Sequence, residues 1–230
     1  MSPDLNQQKA FMSSKALEDY LKIIYKLEEL SPSEDKGVST SAIAERLAIS
    51  KASVSNMLKK LAEKGLIRYE PYYGVRLTED GCKIALNMIR KHRILEQYLV
   101  ERLGYLWDEV DEEAEILEHA ISDTLANRMW EALGRPTHDP HGSPIPNEAG
   151  EMVALKMSSL SEVESSSPKK VVRIQNRSPE ELRYLSSIGL VKNAEVKVHE
   201  KAPFNGPLSI EVSGEYHALD FRLAESIFVC

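Results

Sequence analysis

Apolar residues recur at helical spacing near the start of the chain. Leu17, Tyr20, Leu21, Ile24 and Leu27 line one face and predict a helix from about Lys15 to Leu30. The polar run from Ser31 to Gly37 predicts a loop. Ser39 or Thr40 is placed to cap a second helix through Leu47, with Ile43 and Leu47 inward. After a tight connection at Ala48–Ile49, Ser50 caps a third helix whose inner face is Val54, Met57, Leu58 and Leu61. Gly65 stops it. Leu66–Tyr69 and Val75–Leu77 then read as short strands on either side of Pro71-Tyr72-Tyr73-Gly74, a small hairpin.

A long fourth helix is predicted from a Thr78 cap to about Leu103, carrying Ile84, Met88, Leu95 and Leu99, with Gly104 at its end. A fifth is predicted from Val110 to Leu133, closed by Gly134. Residues 135–147 contain four prolines and exclude helix. A short amphipathic piece is expected at 148–158, and the Ser-rich stretch 158–170 reads as a linker. Beyond it the period changes to that of strands, at Val171–Ile174, Glu195–His199, Leu208–Val212, Tyr216–Leu219 and Ile227–Val229. One helix, Pro179 to Ser187, interrupts them. A small β-barrel satisfies this pattern. The fold class is therefore α+β. A winged helix-turn-helix domain spans 1–78, a helical domain 79–157, a linker 158–170 and a barrel 171–230.

Composition narrows the function. With 230 residues and 42% apolar content, several small cores are possible, and no apolar run is long enough to cross a membrane. The N-terminal segment lacks the apolar stretch of a secretion signal. Only Cys82 and Cys230 are present, which excludes a disulfide framework or a cysteine-rich zinc module. The expectation is a soluble cytoplasmic protein with no membrane partner.

The net charge of -7 at first disfavours nucleic acid, but the charge is uneven. Residues 40–77 are net basic, with Arg46, Lys51, Lys59, Lys60, Lys64, Arg68 and Arg76 against three glutamates. A helix-turn-helix followed by a hairpin places its second helix in the major groove of double-stranded DNA. On that helix Lys51, Ser53, Ser55 and Asn56 lie toward the N-terminal end, where base edges are met. Lys59 and Lys60 suit phosphates, and Tyr72 and Tyr73 form the wing tip.

The middle of the chain is acidic, with seven acids between Asp108 and His119. Glu115, Glu118 and His119 share one helix face at i, i+3 and i+4, and Asp111 lies a turn earlier. His92 and Glu96 repeat the i, i+4 spacing on the fourth helix. Oxygen and imidazole donors without thiolates suit Mn²⁺ or Fe²⁺, with zinc and nickel left open. Glu112 and Glu113 read as a solvated face. His138, Asp139 and His141 fall among prolines and read as a rigid connector. Cys82 reads as a packing residue, and His199 and His217 carry no assigned role.

These parts stand in a recognisable order. A winged helix is followed by RKHRILEQYL at 90–99, DEEAEILEHAIS at 111–122, DPHGSPIP at 139–146 and a small barrel. The chain resembles the diphtheria toxin repressor family of metal-dependent transcriptional regulators. Its last 70 or so residues, notably LSSIGLVKNAEVKV at 185–198 and APFNGPLSIEV at 202–212, resemble the SH3-like domain shared with ferrous iron transport protein A. The resemblance implies a primary metal site of Asp19, Glu115, Glu118 and His119. It implies a second site of His92, Glu96 and Asp111, so up to two ions per chain. Glu181 is the nearest match for a ligand lent by the barrel, although Ser178, Pro179 and Glu181 also read as a plain capping box.

Iron-type members place Met and Cys where this chain has Asp19 and Glu115, so the resemblance implies Mn²⁺, with Fe²⁺ as the alternative. Lys22 stands where manganese-type members often carry a second acid, which argues against one bridged centre, and the three-domain layout of the resemblance implies two separate sites. The implied function is a homodimeric, metal-activated repressor of metal-uptake genes, acting on a palindromic operator. Two rivals are a metallohydrolase built on the His/carboxylate site and a regulator answering a small organic ligand. The first has no evident general base beyond the ligands. The second leaves the His/Glu spacing unexplained.

Overall fold

In the computed structural model, the described residues are 5–30, 36–70, 73–153, 155–164, 167–175 and 178–230, with side chains left out at 5–13 and 30. Tyr72 and most of the expected 31–37 loop lie outside them. The chain divides into two compact units, residues 1–90 with 148–150, and residues 91–147 with 151–230.

The first unit begins with α1 (Leu5–Leu30), longer at its start than the apolar pattern indicates. In α2 (Thr40–Leu47) the Ser39 side chain accepts from Ala42 N–H, and Ala48 closes the helix in the left-handed region at φ 53°. Helix α3 (Lys51–Glu63) is capped by Ser50, whose side chain accepts from Ser53 N–H. Strands β1 (Ile67–Glu70) and β2 (Gly74–Leu77) pair antiparallel, and Val38 adds a bridge to Val75. Gly74 sits at φ +99°, and a Cβ there would lie 2.6 Å from the Gly37 carbonyl oxygen. Only glycine lets the wing turn so close to the preceding loop. Leu21, Ile24, Ile43, Val54, Leu58, Leu61 and Val75 are fully buried together. Glu28 ties the wing to α1 by accepting Leu77 N–H at 3.1 Å.

Helix α4 (Glu79–Leu103) starts where expected, with the Thr78 hydroxyl accepting from Gly81 N–H. The predicted fifth helix is in fact two, α5 (Val110–Leu117) and α6 (Asp123–Ala132). The periodicity runs through the break, but Ser122 offers a new cap and accepts Leu125 N–H at 3.2 Å. Glu118 keeps helical dihedrals at φ -57°, so the turn bearing Glu118 and His119 still projects like helix. Residues 135–147 are irregular apart from a bridge between His138 and Pro144.

The amphipathic piece expected at 148–158 forms no helix among the described residues. Asn147 exchanges backbone and side-chain hydrogen bonds with Glu151 instead and turns the chain there. The expected linker also belongs partly to the barrel. Ser158–Ser159 (β3) pairs with the last strand, and Leu160 is wholly buried, an apolar anchor hidden in a serine-rich stretch.

The C-terminal sheet then adds β4 (Lys169–Ile174), α7 (Pro179–Ser187), β5 (Glu195–Lys201), β6 (Leu208–Val212), β7 (Glu215–Leu219), α8 (Phe221–Glu225) and β8 (Ile227–Val229). Its order is β3-β8-β4-β5-β6-β7, and every pairing is antiparallel. The apolar face of each strand closes around Leu182, Leu185 and Leu190, and Trp107 packs against this core from outside the sheet.

Candidate metal centre

The site grows from α4. His92 and Glu96 are one turn apart and project to the same side, with side chains 4% and 0% exposed. The α5 turn supplies the facing groups. Glu118 Oε2 lies 2.6 Å from His92 Nδ1, and Glu115 Oε2 lies 3.6 Å from the same nitrogen. Asp111 Oδ1 stands 3.3 Å from His92 Nε2, and His119 Nε2 is 3.5 Å from Glu118 Oε1. On the far side, Glu96 Oε1 is 3.5 Å from His92 Nε2 and 3.5 Å from His141 Nδ1. Carboxylate and imidazole thus alternate along one buried row, Glu118, His92, Glu96 and His141.

Three triads in this unit have ligand atoms within 4.8 Å of one another. They are His92–Glu115–Glu118, His92–Glu96–Asp111 and Glu96–Asp139–His141. The two sets read separately from the sequence therefore meet at His92. Asp139 and His141, read there as connector residues, are wholly buried beside Glu96. Their signal was present in the DPH triplet at 139–141, but the prolines around it point equally well to rigidity.

Asp139 is held by Ser143 N–H at 2.8 Å and faces Arg93 Nε at 3.9 Å. The Lys192 ammonium donates to the Asp139 carbonyl at 2.7 Å. Burial pushes the Lys192 ammonium below its ordinary pKa. It does the same to the neighbouring His138 imidazole, with Lys192 adding to that shift.

Glu181 joins none of these groups among the described residues. Its carboxylate accepts from Arg222 at 2.7 Å, and its N–H donates to the Ser178 cap. Asp19 lies half-buried on α1, in the other unit.

The donor set fits a divalent cation. Glu96, Glu118 and Asp139 are all wholly buried, and so much carboxylate in a dry environment is costly unless positive charge offsets it. Oxygen and imidazole donors with no thiolate fit Mn²⁺ or Fe²⁺.

On α3, Lys51, Ser53, Asn56, Lys59 and Lys60 are exposed and Ser55 is half-buried. The Ser53 hydroxyl lies 2.9 Å from the Ser50 hydroxyl, and the Ser55 hydroxyl donates to the Lys51 carbonyl. These two hydroxyls are engaged at the start of the helix, while Asn56 presents an amide on its exposed face. Tyr73 is 63% exposed on the wing.

Family models match three consecutive parts of the chain. Iron dependent repressor, N-terminal DNA binding domain, matches residues 12–75. Iron dependent repressor, metal binding and dimerisation domain, matches 78–147, and the FeoA domain matches 158–230. Iron-dependent repressor IdeR of Mycobacterium leprae is 32% identical over 226 residues, covering 92% of this chain and 95% of that protein. The chain belongs to the iron-dependent repressor family.

As such it is a metal-dependent DNA-binding regulator, and the family consists of repressors rather than enzymes, which sets the hydrolase reading aside. Among solved structures, this repressor is similar to one titled "Manganese-dependent transcriptional repressor complex with manganese". The identity is 39% and the TM-score 0.84, over 93% of this chain and 98% of that one. The manganese regulator SloR is similar at 33% identity and TM-score 0.76, over 93% and 97%. No helix of the repressor among the described residues is long and apolar enough to cross a membrane.

Proposed function

We propose that this repressor is activated by Mn²⁺ and, as a homodimer, binds a palindromic operator that controls divalent-metal uptake. The observation that carries the reading is the buried row Glu118–His92–Glu96–His141, built wholly of oxygen and imidazole donors. In this reading Glu115, Glu118 and His119 hold one ion together with Asp19, which the sequence resemblance brings to it. Glu96, Asp139 and His141 hold a second, with Asp111 at the edge, and His92 serves the boundary between the two. Bound metal supplies the positive charge that lets these carboxylates stay close and ionised. A ligand from the DNA-binding unit couples that occupancy to the posture of the winged helix.

Leu103, Leu106, Ile116 and Leu125 are 46–64% exposed on the helical region, the kind of apolar surface a second copy covers. The relatives bear names of both kinds, manganese-dependent and iron-dependent, and Asp19 with Glu115 in place of softer donors favours manganese here.

The test is operator footprinting against the free concentration of each metal under anaerobic conditions, with ion stoichiometry measured alongside. Footprinting that requires Mn²⁺ supports the reading. Binding that ignores all divalent metals overturns it.

A further inference from the structure

We infer that Trp107 is a positioning residue for the second ion, holding the His141 ring so that Nδ1 is the metal-facing nitrogen. This rests on the two-ion reading above.

His141 Nε2 lies 2.8 Å from the Trp107 carbonyl oxygen. A carbonyl only accepts, so Nε2 carries the hydrogen, and the tautomer leaves the Nδ1 lone pair directed at Glu96 Oε1, 3.5 Å away. The Trp107 ring lies against the same imidazole, with centroids 5.4 Å apart and planes tilted by 34°. Both contacts come from one residue, and they fix the ring's tilt and its tautomer together. Orientation of a ligating histidine by a carbonyl on its other nitrogen tunes metal affinity.

The barrel fixes the opposite side. Ile174 N–H in β4 donates to the His141 carbonyl at 2.8 Å. Gly142, at φ +90°, lies so near β4 that a Cβ would fall 2.0 Å from the Val172 carbonyl oxygen. Trp107 itself packs on the barrel core, and the adjoining Asp108 pairs with Arg183 of α7 at 3.1 Å. His141 is thus gripped between the barrel and Trp107, and the barrel backbone bears on the ion site through this histidine. Glu181, the barrel residue to which the resemblance points, accepts from Arg222 in this structure.

Two measurements on the full chain test this. In metal-free protein labelled with ¹⁵N-histidine, two-bond ¹H–¹⁵N correlation should show neutral His141 as the Nε2–H tautomer. Addition of diamagnetic Zn²⁺ should move the Nδ1 resonance. An Nδ1–H tautomer, or a ligation shift at Nε2, overturns the inference.

In Mn²⁺ titrations read by the EPR signal of free ion, Trp107→Ala, which keeps the carbonyl but removes the ring packed on the imidazole, should measurably weaken one of two ions. The other should stay unchanged, and Trp107→Phe should recover most of the loss. Glu96→Gln serves as the control. If Glu96→Gln loses an ion and a folded Trp107→Ala binds as wild type, the positioning role fails alone. If Glu96→Gln keeps both ions, or wild-type protein binds only one, the assignment of a second ion to Glu96, Asp139 and His141 fails and takes this inference with it. Should Trp107→Ala not fold, the tautomer measurement on wild-type protein decides.

Discussion

His92 Nδ1 lies 2.6 Å from Glu118 Oε2, although the two residues sit on different helices and in different expected ion sites. The pair makes the centre continuous, because the other nitrogen of the same ring faces Glu96 and Asp111. Glu118→Gln should therefore act on both the metal-free and the metal-bound protein. Removing one buried negative charge should raise the melting temperature without metal. It should also abolish most of the stabilisation by Mn²⁺, which for an intact site at 100 times its Kd is about 2.7 kcal/mol. Calorimetry with and without Mn²⁺ checks both. A mutant that keeps the full metal-induced shift would remove Glu118 from the ligand set.

His119→Ala should eliminate metal-dependent operator binding while leaving the far-UV circular dichroism and the cooperativity of melting intact. Its side chain is 3% exposed and lies outside the barrel core, so melting separates loss of metal response from loss of fold. Operator binding that still appears on Mn²⁺ addition contradicts the assignment.

DNA readout should separate along α3. Asn56→Ala is expected to relax sequence preference, losing about 1–3 kcal/mol of discrimination at one base pair. Lys60→Ala should weaken binding to every sequence and reduce the slope of log affinity against log salt by about one unit. Binding assays across salt and operator variants test this. A Lys60 effect on preference alone would mean the helix docks differently.

Metal preference should follow donor hardness. Mn²⁺ is expected to activate the wild-type protein at least as strongly as anaerobic Fe²⁺. Asp19→Met combined with Glu115→Cys should move the response toward Fe²⁺, Co²⁺ and Ni²⁺. Operator affinity against free concentration of each ion gives the ranking, and wild-type protein silent with Mn²⁺ would refute it.

Glu28 predicts a pH effect in the first unit. Burial raises its carboxyl pKa, while Leu77 N–H and then Arg76 act in the lowering direction. A carboxyl whose folded pKa is raised favours the folded state when protonated. Stability is therefore lost as pH climbs from the ordinary carboxylate range through the raised value. Glu28→Gln keeps an acceptor for Leu77 and removes this loss. The mutant should melt higher than wild type at pH 7, with the difference vanishing near about pH 4. Melting curves across that range decide, and a mutant less stable at neutral pH would show that the Arg76 attraction dominates.

Much of this was legible in the chain. The caps at Ser39, Ser50, Thr78 and Ser178 were readable because a short polar side chain before an apolar period has one dominant use. The i, i+4 pair on α4 was readable because spacing on one helix needs no tertiary knowledge. What escaped depended on contacts between distant segments. The break at Ser122 competes with an unbroken helical period on nearly equal terms. Asp139 and His141 acquire their chemistry only when the connector is pressed against α4 by Lys192 and β4. Leu160 is one apolar residue among serines, and its burial comes entirely from its partner strand.

The placement of β8 between β3 and β4 bears on how the protein is made. Strand β4 leaves the ribosome with both flanks open; β5 can fill one soon after, but β5, β6, β7 and α8 must all emerge before Ile227–Val229 can fill the other. Until then Val171 and Ile174 belong to an unfinished sheet, exposed to wrong pairing. The winged-helix residues are synthesised long before, and their contacts are more local. The DNA-binding unit is thus expected to be complete on the nascent chain while the grip on His141 is still missing.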